Sequence, residues 1–219
     1  MTEKNLLIYG TGTISEIASF YFNHDTNYKI IGYVDNEKTI QENDEFLGKK
    51  LYSWKQIKEF FSPDDVDIFI AIGYKKTNKI REEKFKLIQN DGFSFASYVS
   101  TKANVFTDKI GQNCFILENN VVQPFVEIGN NVFLWSGNHI GHHSRIHDNV
   151  FISSHVVISG KCEIGKNSFL GVNSCLRDGI KIGEKSVIGL GTVVMKNCPS
   201  NSVFIQKGSE SRIISKDII

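Results

Sequence analysis

The sequence predicts two joined parts. Residues 1–100 read as an α/β Rossmann-like unit, and residues 101–219 as an all-β, three-sided coil of short parallel strands with a short tail. Three observations predict this. Every sixth residue from Ile110 to Val194 is Ile, Leu or Val, without a slip. An Ile-Gly pair recurs at Ile110, Ile128, Ile164 and Ile182 on a period of 18, with Ile146-His147 filling the missing beat. The first 36 residues run strand, glycine-rich turn, helix, strand and acidic residue, the opening order of a nucleotide-binding α/β unit.

In chain order, residues 5–9 form a buried strand, and Gly10-Thr11-Gly12 turns the chain into a helix from Thr13 to His24. A second strand over 29–34 ends at Asp35-Asn36. The glycines let backbone approach a ligand, and the helix N-terminus favours an anion such as a diphosphate. Ser15 stands where a dinucleotide fingerprint has its third glycine, so three readings stay open: a nucleotide-sugar diphosphate site, a dinucleotide site and a bare strand-to-helix turn. A polar connection covers 37–46, and a short helix spans Trp54 to Phe61. Val66 to Ile72 is a strongly apolar strand with Gly73-Tyr74 at its C-terminal end. Ligands of open α/β sheets sit outside the carboxyl ends of the strands, so Gly12, Asp35 and Gly73 are expected to line one crevice. Residues 75–91 read as a helix whose Lys75, Lys76, Lys79, Arg81 and Lys84 form a solvated face, and Phe93 to Val99 as the last strand.

A period of six fits neither a helix nor an alternating strand over this length. It fits six residues per side and three sides per turn, with the aliphatic residue inward and Gly, Asn and Asp at the corners. The position four residues later is often small, as at Cys114, Ser144, Cys162, Ser168, Ser174, Ser186, Thr192 and Cys198, which lets three sides meet at a narrow axis. Successive turns stack at about 4.8 Å.

A net charge of +1 over 219 residues gives no electrostatic case for nucleic acid or an anionic membrane surface. No apolar run reaches the roughly 18 residues of a membrane span. The start MTEKNLLIYG enters a strand directly, without a signal-peptide pattern, so a cytoplasmic protein is expected. The four cysteines lack metal-type spacing, and three fall in the small inward column, so they read as free, packed thiols.

Five of the six histidines lie between His139 and His155. The coil register puts His142 and His143 at an outward-facing corner. His147 falls in the Ile-Gly column, and His155 shares a column with Gly137, Asn173 and Gly191. Acyl transfer from a thioester needs a base to take the proton of the attacking amine or hydroxyl, and imidazole titrates in the right range. A histidine-held zinc is a rival use of the cluster.

The order of a Rossmann-like domain followed by a hexapeptide coil resembles the bacterial nucleotide-sugar N-acetyltransferases and their sialic-acid O-acetyltransferase relatives. The matching stretches are IYGTGT near the start, YVDN at 33–36, FIAIG at 69–73, EIGKNSFLGVNSCLRDGIKIG at 163–183 and CPSNSVFIQKG at 198–208. The resemblance implies that the coil is a left-handed parallel β-helix and that the protein is an acetyl-CoA-dependent acyltransferase, a homotrimer serving polysaccharide or glycan synthesis. It implies His142, in Ile140-Gly141-His142-His143, as general base. The family has Glu after this histidine; His143 stands here and shares the catalytic assignment. The resemblance places a nucleotide-linked 4-amino-4,6-dideoxy sugar on Gly10, Thr11, Gly12, Thr13, Asp35, Asn36, Gly73 and Tyr74. It places acetyl-CoA, held largely by backbone, near Phe151, Val172, Gly189 and Leu190, with no metal required. Transfer to a sugar hydroxyl is the alternative reaction, and binding of a sugar nucleotide without catalysis a third possibility.

Overall fold

The computed structural model describes residues 3–36 and 44–208; most of the polar connection and the tail beyond 208 lie outside them. The first part runs β1 (Lys4–Tyr9), α1 (Thr13–Asp25), β2 (Tyr28–Asp35), β3 (Glu45–Phe46), β4 (Lys49–Ser53), α2 (Trp54–Phe60), β5 (Asp67–Ile70) and α3 (Lys79–Asn90). The sheet order is β3-β4-β2-β1-β5. Both neighbours of β1 are parallel to it, so the strand order reverses at its carboxyl end, where such sheets leave a crevice. β5 is buried along its whole length, as expected of a strand covered on both faces. Leu6, Ile8 and Phe69 pack with Phe22 of α1 on one face, and Leu7, Ile68 and Ile70 with Ile57, Phe85 and Ile88 on the other. α2 starts on a capping box in which Ser53 and Gln56 satisfy each other's backbone N–H. The short β3–β4 hairpin was not anticipated; Leu47 and Gly48, both with positive φ, form its turn.

Three expectations are corrected. α3 begins at Lys79 and not at 75, because Lys76, Thr77 and Asn78 have φ of 54°, 51° and 62°, which a right-handed helix excludes. Arg81 is not on a solvated face: it is 0% exposed. Phe93 to Val99 is not one strand. Phe95 makes a single parallel bridge to Ile68, and β6 (Tyr98–Val99) pairs with Phe115–Ile116 and belongs to the coil.

The coil has three sheets of stacked two-residue strands. Register advances by 18 from turn to turn, as in Phe133 opposite Phe151 and His139 opposite Val157. The inward aliphatic column and the residue four positions later form one buried core from Cys114 to Cys198. At each corner one residue has positive φ. The first corner carries Asn113, Asn131, Asn149 and Asn167; the second Asn119, Gly137, His155, Asn173 and Gly191; the third Phe125, His143, Lys161 and Gly179. The left-handed conformation explains the abundance of Asn and Gly at these columns.

The three outward columns differ in chemistry. One face carries Lys109, Glu127, Arg145, Glu163 and Lys181, linked by ion pairs such as Lys109–Glu127 at 2.9 Å and Lys181–Glu163 at 3.2 Å. A second carries Val121, His139, Val157, Cys175 and Val193. The third carries Phe115, Phe133, Phe151 and Phe169 and packs on the α/β unit: Phe69 stacks on Phe133 with centroids 5.9 Å apart, and Tyr74 lies 4.6 Å from Phe169.

The first corner is also tied to the α/β unit. Its asparagine side chains form a ladder, Asn113 to Asn131 to Asn149 at 2.7 Å each and on to Asn167 at 3.5 Å. At one end Asn113 accepts from the Ile70 N–H of β5 (2.8 Å); at the other Asn167 donates to Glu82 of α3 (2.8 Å). Beside the ladder, Arg81 donates to the carbonyls of Ile72, Gly73, Asn131, Asn149 and Val150 at 3.2 to 3.4 Å and lies 4.4 Å over the Phe133 ring. Burial pulls its pKa down to about 9, so it stays charged at neutral pH, held by carbonyl dipoles and an aromatic face. A further tie is Asp25 at the end of α1, which accepts from the Thr101 N–H, the Tyr98 hydroxyl and the Thr101 hydroxyl. The Thr101 N–H, followed by the Tyr98 hydroxyl, holds the Asp25 carboxyl below its ordinary range.

Candidate active site

Two places gather the residues singled out by the sequence. The first is a crevice of about 580 Å³ at the carboxyl end of the α/β sheet, lined by Gly10, Thr11, Gly12, Thr13, Asp35, Asn36, Gly73 and Tyr74, with Lys75, Ile80 and Lys84 closing its sides. All eight residues expected there are brought together. Backbone bonds knit its floor: the Gly10 N–H donates to Val34 and the Ala71 N–H to Tyr9. Gly10 has φ of +123°, and a Cβ there would lie 3.0 Å from the Ala71 carbonyl oxygen, so no other residue fits without strain. α1 begins at the crevice with no side-chain cap on its first N–H groups. Asp35 accepts from the Thr11 hydroxyl and from the Asn36 N–H, which orients its carboxylate at the rim. Lys84 reaches Asn36 at 3.1 Å. Tyr74 is 52% exposed and its ring rests on Phe151 and Phe169, so the crevice abuts the phenylalanine face of the coil.

The second place is the third corner of the coil. His142 and His143 are both exposed. The His142 imidazole lies over Gly160, its counterpart one turn on; a Cβ at 160 would come within 2.8 Å of its Cε1 and Nε2. The His142 N–H donates to the Gln123 side chain at 2.9 Å, which fixes the loop. The Nδ1 atoms of His142 and His143 are 3.1 Å apart, so one donates to the other. The His143 ring packs 4.7 Å from that of Phe125. This leaves Nε2 of His142 as the nitrogen facing away from its neighbour, the arrangement a general base needs. The other three histidines of the cluster lie elsewhere: His139 on the valine face, His147 bonded to Glu163 at 3.0 Å on the charged face, and His155 at the second corner.

The four residues expected near acetyl-CoA are not brought together in the same way. Val172 (43% exposed) and Leu190 (76% exposed) project from the second corner, with Gly189 beside them. Phe151 departs from the expectation: its side chain is 2% exposed, stacked between the α/β unit and its own column, so it can offer a cofactor no side-chain contact. Reasoning from sequence missed Arg81, Gly160 and the phenylalanine column. The column was visible as Phe115, Phe133, Phe151 and Phe169, an aromatic on the 18-residue period where the other faces carry valine or charge.

The family comparisons bear on both parts. The PglD N-terminal domain model matches residues 5–88, the bacterial transferase hexapeptide model residues 109–142 and 125–160, and the succinyl-transferase hexapeptide model residues 162–196. These matches give the chain a PglD-type N-terminal domain followed by the hexapeptide repeats of bacterial acyltransferases. Solved structures share the whole left-handed β-helix architecture of this acyltransferase. The acetyltransferase domain of PglB from Neisseria gonorrhoeae aligns over 91% of this chain and 95% of its own, with a TM-score of 0.78 and 22% identity. A mutant of the perosamine N-acetyltransferase from Caulobacter crescentus, solved with CoA and GDP-perosamine, aligns over 95% and 99% with a TM-score of 0.79 and 19% identity. WeeI from Acinetobacter baumannii aligns over 91% and 95% with a TM-score of 0.75 and 16% identity. The search of curated proteins gave no significant match.

Proposed function

We propose that this acyltransferase moves an acetyl group from acetyl-CoA to the amine of a nucleotide-linked 4-amino-4,6-dideoxy sugar, with His142 as general base, in the cytoplasmic synthesis of a bacterial glycan. The observation that carries the reading is the exposed His142 imidazole, seated over Gly160 with Nδ1 engaged by His143, so that Nε2 is the nitrogen without that partner. The similar perosamine N-acetyltransferase binds CoA and GDP-perosamine, and the PglB domain binds acetyl-CoA, which supports the donor and acceptor classes.

The chemistry follows from the residues. Uncapped N–H groups at the start of α1, with Gly10 and Gly12 allowing close approach, suit a diphosphate. Asp35 and Asn36 at the rim offer acceptors and a donor to the nucleoside. The neutral sugar amine attacks the thioester carbonyl while Nε2 of His142 takes its proton. The C–N bond forms, the C–S bond breaks, and CoA leaves as a thiolate that is reprotonated from the base. Val172 and Leu190 give the second corner an exposed apolar rim suited to the pantetheine arm.

A homotrimer completes the reading. The valine face lies between the second and third corners, with Val157 and Val193 exposed on the single chain. Association through that face in a closed ring sets the His142 corner of one copy beside the Val172–Leu190 corner of the next. Three cationic residues on the charged face, interspersed with Glu127 and Glu163, leave that side solvated.

The test is thiol release from acetyl-CoA with UDP-, dTDP- and GDP-linked 4-amino-4,6-dideoxy sugars, against matching sugars without the amine. Turnover confined to an amino sugar supports the reading. Turnover only with a hydroxylated sugar moves the protein to O-acetylation, and silence with every acceptor overturns both.

A further inference from the structure

We infer that His143 serves this reaction as a neutral hydrogen-bond acceptor: its Nδ1 lone pair receives the Nδ1–H of His142, in the place a carboxylate would otherwise take. The inference rests on the reading of His142 as the base and assigns the residue that sets its tautomer.

The geometry is local and constrained. The two Nδ1 atoms stand 3.1 Å apart, with ring planes at 87°. Only one proton fits between them. A base that acts through Nε2 must carry its own proton on Nδ1, so the partner nitrogen must be bare and His143 must hold its proton on Nε2. Three contacts fix the pair. Gly160 seats the His142 ring, Gln123 holds the His142 N–H, and Phe125 packs on the His143 ring. His143 takes the left-handed corner conformation, φ 59°.

No carboxylate of the groove beside His143 competes for this role, and Asp178, two turns on in the column of His142, is committed to the Gly160 N–H. Glu127 is committed to Lys109 and Arg145, and Glu163 to Lys181 and His147; the remaining charged group there is Lys161, one turn on. When His142 accepts the substrate proton it becomes an imidazolium, and its Nδ1–H bond to His143 strengthens. The pair carries no net charge before the reaction, unlike a histidine–carboxylate pair. Protonation of His143 puts a second N–H between the rings and removes the support.

The first test needs no substrate. Two-bond proton–nitrogen correlations on the uniformly nitrogen-15-labelled full chain, at a pH where both rings are neutral, report each tautomer. The expected pattern is a protonated Nδ1 on His142 and a bare Nδ1 on His143. The reverse pattern, or protons on Nε2 of both rings, overturns the inference even if the transferase reading stands.

The second test compares His143→Phe and His143→Glu with the parent enzyme, using acetyl-CoA and the amino-sugar nucleotide that turns over in the thiol-release panel. Phe125 occupies the same corner column at φ 67°, so the corner accepts a phenylalanine ring. His143→Phe should lower kcat about 100-fold, the lower end of the range for assisted proton transfer, with KM for acetyl-CoA unchanged. His143→Glu should restore kcat at high pH and move the acid limb of the pH–rate profile up by about one unit, because a carboxylate favours the imidazolium. A His143→Phe enzyme as fast as the parent, or an acid limb that stays put in His143→Glu, overturns the inference. The tautomer measurement remains decisive if either variant fails to fold.

Discussion

Two corners of the same coil have the same backbone and opposite uses. At the first, Asn113, Asn131, Asn149 and Asn167 occupy the left-handed turn position; at the third, Phe125, His143, Lys161 and Gly179 do. The asparagine corner is covered by α3 and β5, its amides pair with one another, and Arg81 caps its carbonyls. The histidine corner is open, and its imidazole nitrogens pair with each other. The coil supplies a turn that tolerates many side chains, and what packs outside each corner decides whether that turn carries stability or chemistry. Buried polar groups must be satisfied where the α/β unit lies against the coil, whereas water relieves that demand at the free corner.

The largest expected effect separates the corners cleanly. His142→Ala should lower turnover by about 10² to 10⁴, the contribution of a positioned base, while the denaturant midpoint stays unchanged because the side chain is exposed. Equal turnover in the variant and the parent would end the assignment. The reciprocal change is Arg81→Leu, which leaves buried carbonyls of the first corner without a donor and should cost about 3 kcal/mol of stability in denaturant titration. Its kcat per folded molecule should be retained if the comparison holds.

Gly160→Ala sharpens the picture at the histidine corner alone. The added methyl meets the His142 ring at 2.8 Å and must displace it, so kcat should fall about 100-fold at most, as for a shift of about 1 Å in a catalytic group. Unchanged kcat would mean that the ring does not rest on Gly160 during the reaction. The smallest effect concerns Asp25. Its carboxyl is held below its ordinary value in the folded chain, so the stability it contributes is present above the unfolded pKa of about 4 and is lost as pH falls through the folded value. Thermal melts of Asp25→Asn from pH 7 to pH 2 should show a shallower acid decline than the parent; parallel curves would remove Asp25 from the account.

Much of this was legible in the sequence because a repeat forces it. The six-residue aliphatic register sets the coil turn by turn and puts His142 and His143 on an outward corner. Gly12, Asp35 and Gly73 of the crevice follow from the rule that ligands gather at carboxyl strand ends, and the other five residues from the family resemblance. What was not legible depends on how the two parts meet. Arg81 lies in a run rich in lysine and reads as surface, and only docking on Asn131 and Asn149 makes it interior. Phe151 is expected near a cofactor from the family resemblance, but it is buried and its ring belongs to the seam with Tyr74. The early part of the 75–91 helix was lost to three residues with positive φ, a conformation that Lys76 and Thr77 give no reason to expect.

The strict register also constrains how such a chain can change length. Strand partners stand 18 residues apart through the body of the coil, whereas Tyr98 pairs with Phe115 and Val187 with Val203, so the end turns are shorter. An insertion of one whole turn beyond Lys185 would extend the prism and leave every column in phase. A six-residue insertion between Asn131 and His142 would instead rotate everything after it by one side. The histidines would arrive at the next corner, and Phe151 and Phe169 would leave the face that Tyr74 covers. Lengthening is therefore permitted in a quantum of three sides, and any smaller step scrambles the histidine corner and the domain seam together.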